Sequence, residues 1–225
     1  MTEPDPQALD ELFNELLHTE DDVLAATRQS AVDAGMPAIE LSAQHAKLLG
    51  LLTELRQATR VLEIGTLAGY STIALARAVG SGGRVVTLEY QQAHADVALA
   101  NFARAGVDDR VEVIVGAALD ILAQLAERGE RFDVFFIDAD KENNVAYVEW
   151  AIKLARPGSI IVVDNIARFG RVLDPEADDH QARAVRDMLD LMGEHPRLDA
   201  AAIQTVGTKG WDGFAVAIVT EPNSA

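Results

Sequence analysis

"RVLEIGTLAGYS", residues 60–71, carries an apolar run straight into two glycines and then into a helix-forming stretch. Five apolar-rich residues followed by a glycine turn read as a buried strand feeding a helix, the first half of a βαβ unit. The pattern repeats downstream in "RVVTLE" (84–89), "VEVIV" (111–115), "DVFFID" (133–138) and "SIIVVD" (159–164), with helix-length gaps between. Runs that stay apolar instead of alternating belong to parallel strands covered on both faces. Near the C-terminus "AAIQTV" and "GFAVAIV" flank "GTKGWD", which reads as an antiparallel hairpin. The expectation is an α/β fold: a seven-stranded, mostly parallel sheet with a C-terminal antiparallel hairpin and helices on both faces.

Upstream the period changes. Leu9, Leu12, Phe13, Leu16 and Leu17 share one face at helical spacing, which predicts an amphipathic N-terminal helix. Ser42 is the expected N-cap of a second helix whose buried stripe is Leu48, Leu51, Leu52 and Leu55. A further helix is expected near 178–192, after a loop rich in Asp and Pro. With no repeats and no low-complexity linker, residues 1–225 read as a single domain: a helical preface over 1–57 and a sheet core over 58–225.

Composition narrows the function. The formal net charge of −17, with no Lys/Arg stripe to offset it, argues against nucleic acid. The acids near the start, Glu3, Asp5, Asp10, Glu11, Glu15, Glu20, Asp21 and Asp22, read as a solvated helix face. No apolar run approaches the ~20 residues of a membrane span. "MTEPDPQALD" has neither the basic nor the apolar region of a secretory signal, so a cytoplasmic protein is expected. Zero cysteines exclude disulfides, a thiolate zinc site and a cysteine nucleophile, and the five histidines (18, 45, 94, 180 and 195) lack ligand spacing. A metal, if bound, would take oxygen ligands.

Ligands of open α/β sheets sit at the carboxyl ends of the strands, so chemistry is sought there. Gly65 and Gly69 allow a tight turn from the first strand, but the dinucleotide fingerprint would need a glycine at Leu67. A smaller ligand without phosphates is favoured. Glu89 ends the second strand at the offset where nucleoside-binding folds place an acid on the ribose hydroxyls. With Glu63, it gives the pocket a charge suited to a sulfonium and an α-ammonium, and so to S-adenosylmethionine. In "FFIDADKENN" (135–144) a buried run meets two aspartates and a lysine; these acids either solvate the strand end or hold a metal ion.

Taken in order, "VLEIGTLAGYSTIALA", "RVVTLEY", "FDVFFIDADKENN" and "IVVDN" resemble the class I S-adenosylmethionine-dependent O-methyltransferases of the metal-dependent catechol and caffeoyl-CoA type, small bacterial members in particular. The resemblance runs from about Ile39 through "KGWDGFAVAIV" and implies the Rossmann-like class I methyltransferase fold. It implies a cofactor pocket of Leu41, Glu63, Gly65, Thr66, Gly69, Tyr70, Ser71, Glu89 (on the ribose), Ala118 (near adenine) and Asp138. Some relatives carry Ser and Gln where this chain has Ala118 and Leu119. Asp138 and Asp164 end consecutive strands, and a right-handed crossover would bring them side by side. With Asn165 they form an oxygen-only set suited to Mg²⁺, or to Mn²⁺ or Ca²⁺, that a vicinal diol could complete. Asp138 and Lys141 are the candidate catalytic residues, Lys141 as general base.

The implied activity is metal-assisted methyl transfer to a hydroxyl of a catechol-like, small-molecule phenolic acceptor. The loop "IARFGRVLDPEADD", with Arg168, Phe169, Trp211 and Asp212, is expected to border the acceptor. A CoA ester is disfavoured because only Arg168 and Arg171 lie nearby. A homodimer paired through the N-terminal helix is expected. Two other classes compete: an NAD(P)-dependent oxidoreductase, disfavoured by Leu67, and a non-catalytic S-adenosylmethionine-binding protein, disfavoured by the intact set around Lys141.

Overall fold

Strands buried on both faces need helices on both faces, and the chain supplies them in alternation. The computed structural model describes residues 5–221; Glu3 of the acidic start and both chain ends lie outside the described residues. In order, α1 (Pro6–Leu17), α2 (Asp22–Asp33) and α3 (Ala43–Leu55) precede β1 (Arg60–Ile64), α4 (Tyr70–Ala78), β2 (Arg84–Glu89), α5 (Gln92–Ala105) and β3 (Val111–Val115). Then come α6 (Ala118–Glu127), β4 (Phe132–Ile137), α7 (Asn144–Leu154), β5 (Ala155–Asp164), α8 (His180–Glu194), β6 (Leu198–Gly207) and β7 (Gly210–Val219). The seven strands form one sheet in the order β3-β2-β1-β4-β5-β7-β6. The first five are parallel, and β7 runs antiparallel to both β5 and β6, as expected.

Side chains alternate between the two faces at the strand period of two. Leu62, Ile64, Phe135 and Ile137 turn to one face with the buried residues of α6, α7 and α8. Val61, Val134 and Phe136 turn to the other, with those of α2 to α5. Cutting a buried phenylalanine such as Phe135 to alanine would cost about 3–5 kcal/mol. β3 departs from the reading of uniformly covered strands: as an edge strand it leaves Glu112 and Val115 exposed.

The preface differs from expectation in three ways. α2 lies between the two helices anticipated. It is capped by Asp21, whose carboxylate accepts from Leu24 N (2.9 Å), and its buried face is only Leu24, Thr27 and Ala31. In α3, Ser42 is the N-cap as expected, but the leucine stripe is not what is buried. Ala43, Ala46, Leu49, Gly50 and Thr53 face the core, whereas Leu48 and Leu51 are exposed and Leu55 is 80% exposed. Leu48 and Leu51 share an apolar surface with Phe13 and Leu17 of α1, a helix that buries none of its own residues. The acids of the start are not only a solvated face either: Asp10 accepts from Thr208 N (3.0 Å), and Asp21 pairs with Arg77 (2.9 Å). No described helix is long and apolar enough to cross a membrane.

Candidate active site

The strand order reverses direction between β1 and β4, and open α/β sheets bind ligands at the carboxyl ends flanking such a reversal. A cavity of about 990 Å³ opens there. It brings together Leu41, Gly65, Ser71, Glu89, Ala118, Asp138, Lys141 and Asn165 from the sequence reading. Glu63, Thr66, Gly69, Tyr70 and Asp164 lie behind its wall.

Gly65 is where the chain most needs glycine. Its φ is +100°, and a Cβ would sit 2.2 Å from the Asp138 carbonyl oxygen. The end of β1 can therefore press against the end of β4, where Asp138 N donates to Ile64 O (2.9 Å). At Gly69 (φ +86°) a Cβ would meet the Phe102 ring at 2.3 Å, so this glycine serves helix packing and not the cavity surface. Glu89 fastens the turn from the next strand: Oε2 accepts from Thr66 N (3.2 Å) and Leu67 N (2.9 Å), and Oε1 from Gln91 N (2.9 Å).

Glu63 is fully buried. Ser71, Thr72 and Thr87 hydroxyls donate to it at 2.6, 2.5 and 2.6 Å. Burial pushes its carboxyl up to about 7 against the pull of those three hydrogen bonds. Its link to the cavity is Ser71, which is held as a donor to Glu63 and so turns oxygen lone pairs toward a ligand. Thr66 Oγ1 meets Thr87 Oγ1 at 2.6 Å, and Tyr70 OH donates to Glu20 (2.5 Å) beneath the Arg28 guanidinium.

On the far side of the turn the acids converge. Ile137 pairs with Val163, so Asp138 stands level with Asp164 at neighbouring strand ends. Asp164 is only 6% exposed; burial first, then the charge of Asp138, pushes its carboxyl well above the usual carboxylate range. Asn165, at φ +61°, donates from Nδ2 to Asp164 Oδ2 (3.0 Å). Lys141, itself buried, places Nζ 2.9 Å from Asp138 Oδ1. Asp140 accepts from Tyr147 OH (2.6 Å) and Asn143 Nδ2 (2.5 Å), bracing the loop after β4. Two acids side by side, one buried, with an amide and a lysine at hand, can hold a cation and receive a proton.

The loop after β5 contributes one of its expected residues. Arg168 lines the cavity; Phe169 and Trp211 are partly exposed and pack against Gly210 and Gly170. Asp212 accepts from the backbone amides of Ala167 (3.0 Å) and Arg168 (3.1 Å). Sequence reasoning missed Glu40, Tyr147 and Gln181, which also line the cavity. Glu40 is anchored by Arg28 of α2 (2.7 Å), which also donates to Leu41 O (3.2 Å), while Glu40 Oε2 is buried without a partner. The signal was an acid beside Leu41 in a stretch with no strand pattern.

A family profile described as O-methyltransferase matches residues 14–214. A catechol O-methyltransferase of Mycobacterium tuberculosis is 58% identical over 96% of this chain and 97% of its own length. A catechol O-methyltransferase of Niastella koreensis is 46% identical over 95% and 97%. The crystal structure of an O-methyltransferase from Bacillus cereus in complex with SAH superposes with a TM-score of 0.93 at 47% identity, covering 96% of this chain and 98% of that one.

Proposed function

The chain belongs to the O-methyltransferase family, and on that premise we propose that it moves a methyl group from S-adenosylmethionine to one hydroxyl of a catechol-like small molecule with the help of a divalent cation. The observation that carries this reading is the wall of Asp138, Asn165 and Lys141 lining the same cavity as the Gly65 turn, with Asp164 level with Asp138 just behind it. The relatives named above support the catechol, and the SAH-bound relative supports the cofactor.

In this reading Glu89 accepts from the ribose hydroxyls, Ala118 borders adenine, and Leu41 and Ser71 hold the amino-acid end. Gly65 and Asp138 flank the sulfonium. Glu63, Thr66, Gly69 and Tyr70 act from behind by shaping the turn. Glu40 adds an unpartnered carboxylate oxygen at the same wall.

Asp138, Asp164 and Asn165 fit a hard divalent cation. Asp164 is a buried acid beside another acid, an arrangement costly without a counter-charge, and all three donors are oxygens. Mg²⁺ suits the set; Mn²⁺ or Ca²⁺ would accept the same donors. When bound, the cation would acidify and orient the acceptor hydroxyls, and S-adenosylmethionine would supply the methyl group. Lys141, with Nζ 2.9 Å from Asp138 Oδ1, is the residue positioned to receive the hydroxyl proton, a step it performs as the neutral amine.

A homodimer belongs to the same reading. Leu17 of α1 is 63% exposed and lines, with Phe13 and the exposed Leu48 and Leu51 of α3, an apolar surface larger than scattered side chains explain. Incubation with S-adenosylmethionine, Mg²⁺ and a series of catechols, followed by mass spectrometry, tests the reaction. Monomethyl ethers are expected; their absence across the series would refute the proposal.

A further inference from the structure

Arg168 stands three residues beyond Asn165 and lines the same cavity as Asp138, Lys141 and Asn165. Its guanidinium has one polar side-chain contact, with Nη2 donating to the neutral Gln181 Oε1. Nε is buried without a partner. No carboxylate of the described residues lies within ion-pair distance of it. The neighbouring cations, by contrast, are committed: Lys141 to Asp138 and Arg171 to Asp179, each at 2.9 Å.

The backbone holds Arg168 in this position. Its φ is +50° and that of Phe169 is +56°, both in the left-handed region that non-glycine residues avoid. Asp212 pins the amides of Ala167 and Arg168, and Phe169 and Trp211 pack the turn from outside. Strain of this kind persists where the surroundings over-determine it, and it fixes a side chain before a ligand arrives.

We propose that Arg168 is a specificity-determining residue that pairs with a carboxylate carried by the catechol acceptor. The inference rests on the methyl-transfer reading above. A planar guanidinium with free donors matches a carboxylate in two parallel hydrogen bonds. The carboxylate belongs to the acceptor and not the cofactor, because Arg168 follows β5 whereas Ser71 follows β1, Glu89 ends β2 and Ala118 follows β3. A polyphosphate is a poorer match: one uncommitted guanidinium is followed by Asp174, Glu176, Asp178 and Asp179.

The test compares 3,4-dihydroxybenzoate with 3,4-dihydroxybenzamide, which share the ring and the hydroxyls and differ in charge. The wild-type protein is expected to favour the acid by about tenfold or more in kcat/KM. Arg168→Gln should bring the ratio close to one, and Arg168→Lys should keep part of it. Calorimetric titration of the two compounds into the wild-type protein with Mg²⁺ and S-adenosylhomocysteine should show the same order of affinity. A wild-type protein that turns over both without favouring the acid would overturn the inference and leave methyl transfer standing. So would an Arg168→Gln variant that slows both acceptors while keeping the ratio. Failure to methylate either compound or unsubstituted catechol would instead overturn the methyl-transfer reading, and this inference with it.

Discussion

Glu63 offers a sharp test of how the cofactor turn is built. It is 0% exposed at the end of β1, with three hydroxyls donating to it. Burial lifts its carboxyl from an ordinary 4.5 to about 7. Between those values the folded protein keeps a proton that the unfolded chain has released. The contribution to stability is therefore fully present below pH 4.5 and is lost as pH rises through 7. At about 1.4 kcal/mol per pH unit, the rise is worth about 3 kcal/mol. Glu63→Gln preserves the shape and cannot titrate, so the stability gap between variant and wild type isolates this group from every other titrating one, Asp164 included. Urea unfolding of both proteins in EDTA, in steps from pH 5 to 8, measures that gap. The variant should gain on the wild type by about 2.5 kcal/mol across the range, most of it between pH 5 and 7. A gap that stays flat within about 0.5 kcal/mol would show that Glu63 is ionised throughout, and the account of the turn would fail.

Three further outcomes are expected. Gly65→Ala should destabilise the protein by about 3 kcal/mol or more, because a Cβ 2.2 Å from the Asp138 carbonyl must push β1 and β4 apart at a φ alanine avoids, and calorimetry should show weaker S-adenosylhomocysteine binding. Asp164→Asn should raise the melting temperature of the metal-free protein at pH 8 by removing a buried charge beside Asp138, while lowering Mg²⁺-dependent turnover by at least about tenfold. Leu17→Glu combined with Leu51→Glu should shift the protein from dimer to monomer in analytical ultracentrifugation, and a monomeric wild type would refute the proposed pairing.

The sheet was legible because central strands of a doubly covered sheet must be apolar throughout, and β1, β2 and β4 carry that requirement openly in sequence. The preface was harder. α2 buries a face of Leu, Thr and Ala, which makes no leucine stripe, and in α3 the most apolar face points away from the core. A hydrophobic period reports that a face is apolar, not what covers it. At the candidate site, strand-end residues such as Asp138, Asp164 and Glu89 could be placed because a parallel sheet gathers its carboxyl ends. Glu40 and Gln181 could not, since they reach the cavity from the preface and from α8. Glu63, Thr66, Gly69 and Tyr70 were located by motif, but burial assigns them to the wall behind the cavity, a distinction that spacing alone does not carry.

The central claim is that the acids at the ends of β4 and β5 bind a cation that activates a vicinal diol. Its most direct measurement is S-adenosylhomocysteine release from S-adenosylmethionine with catechols and with monophenols, each in Mg²⁺ and in EDTA. Turnover of catechols that EDTA abolishes and Mg²⁺ restores, with monophenols inert, is the predicted result. Monophenol turnover unaffected by EDTA would contradict it.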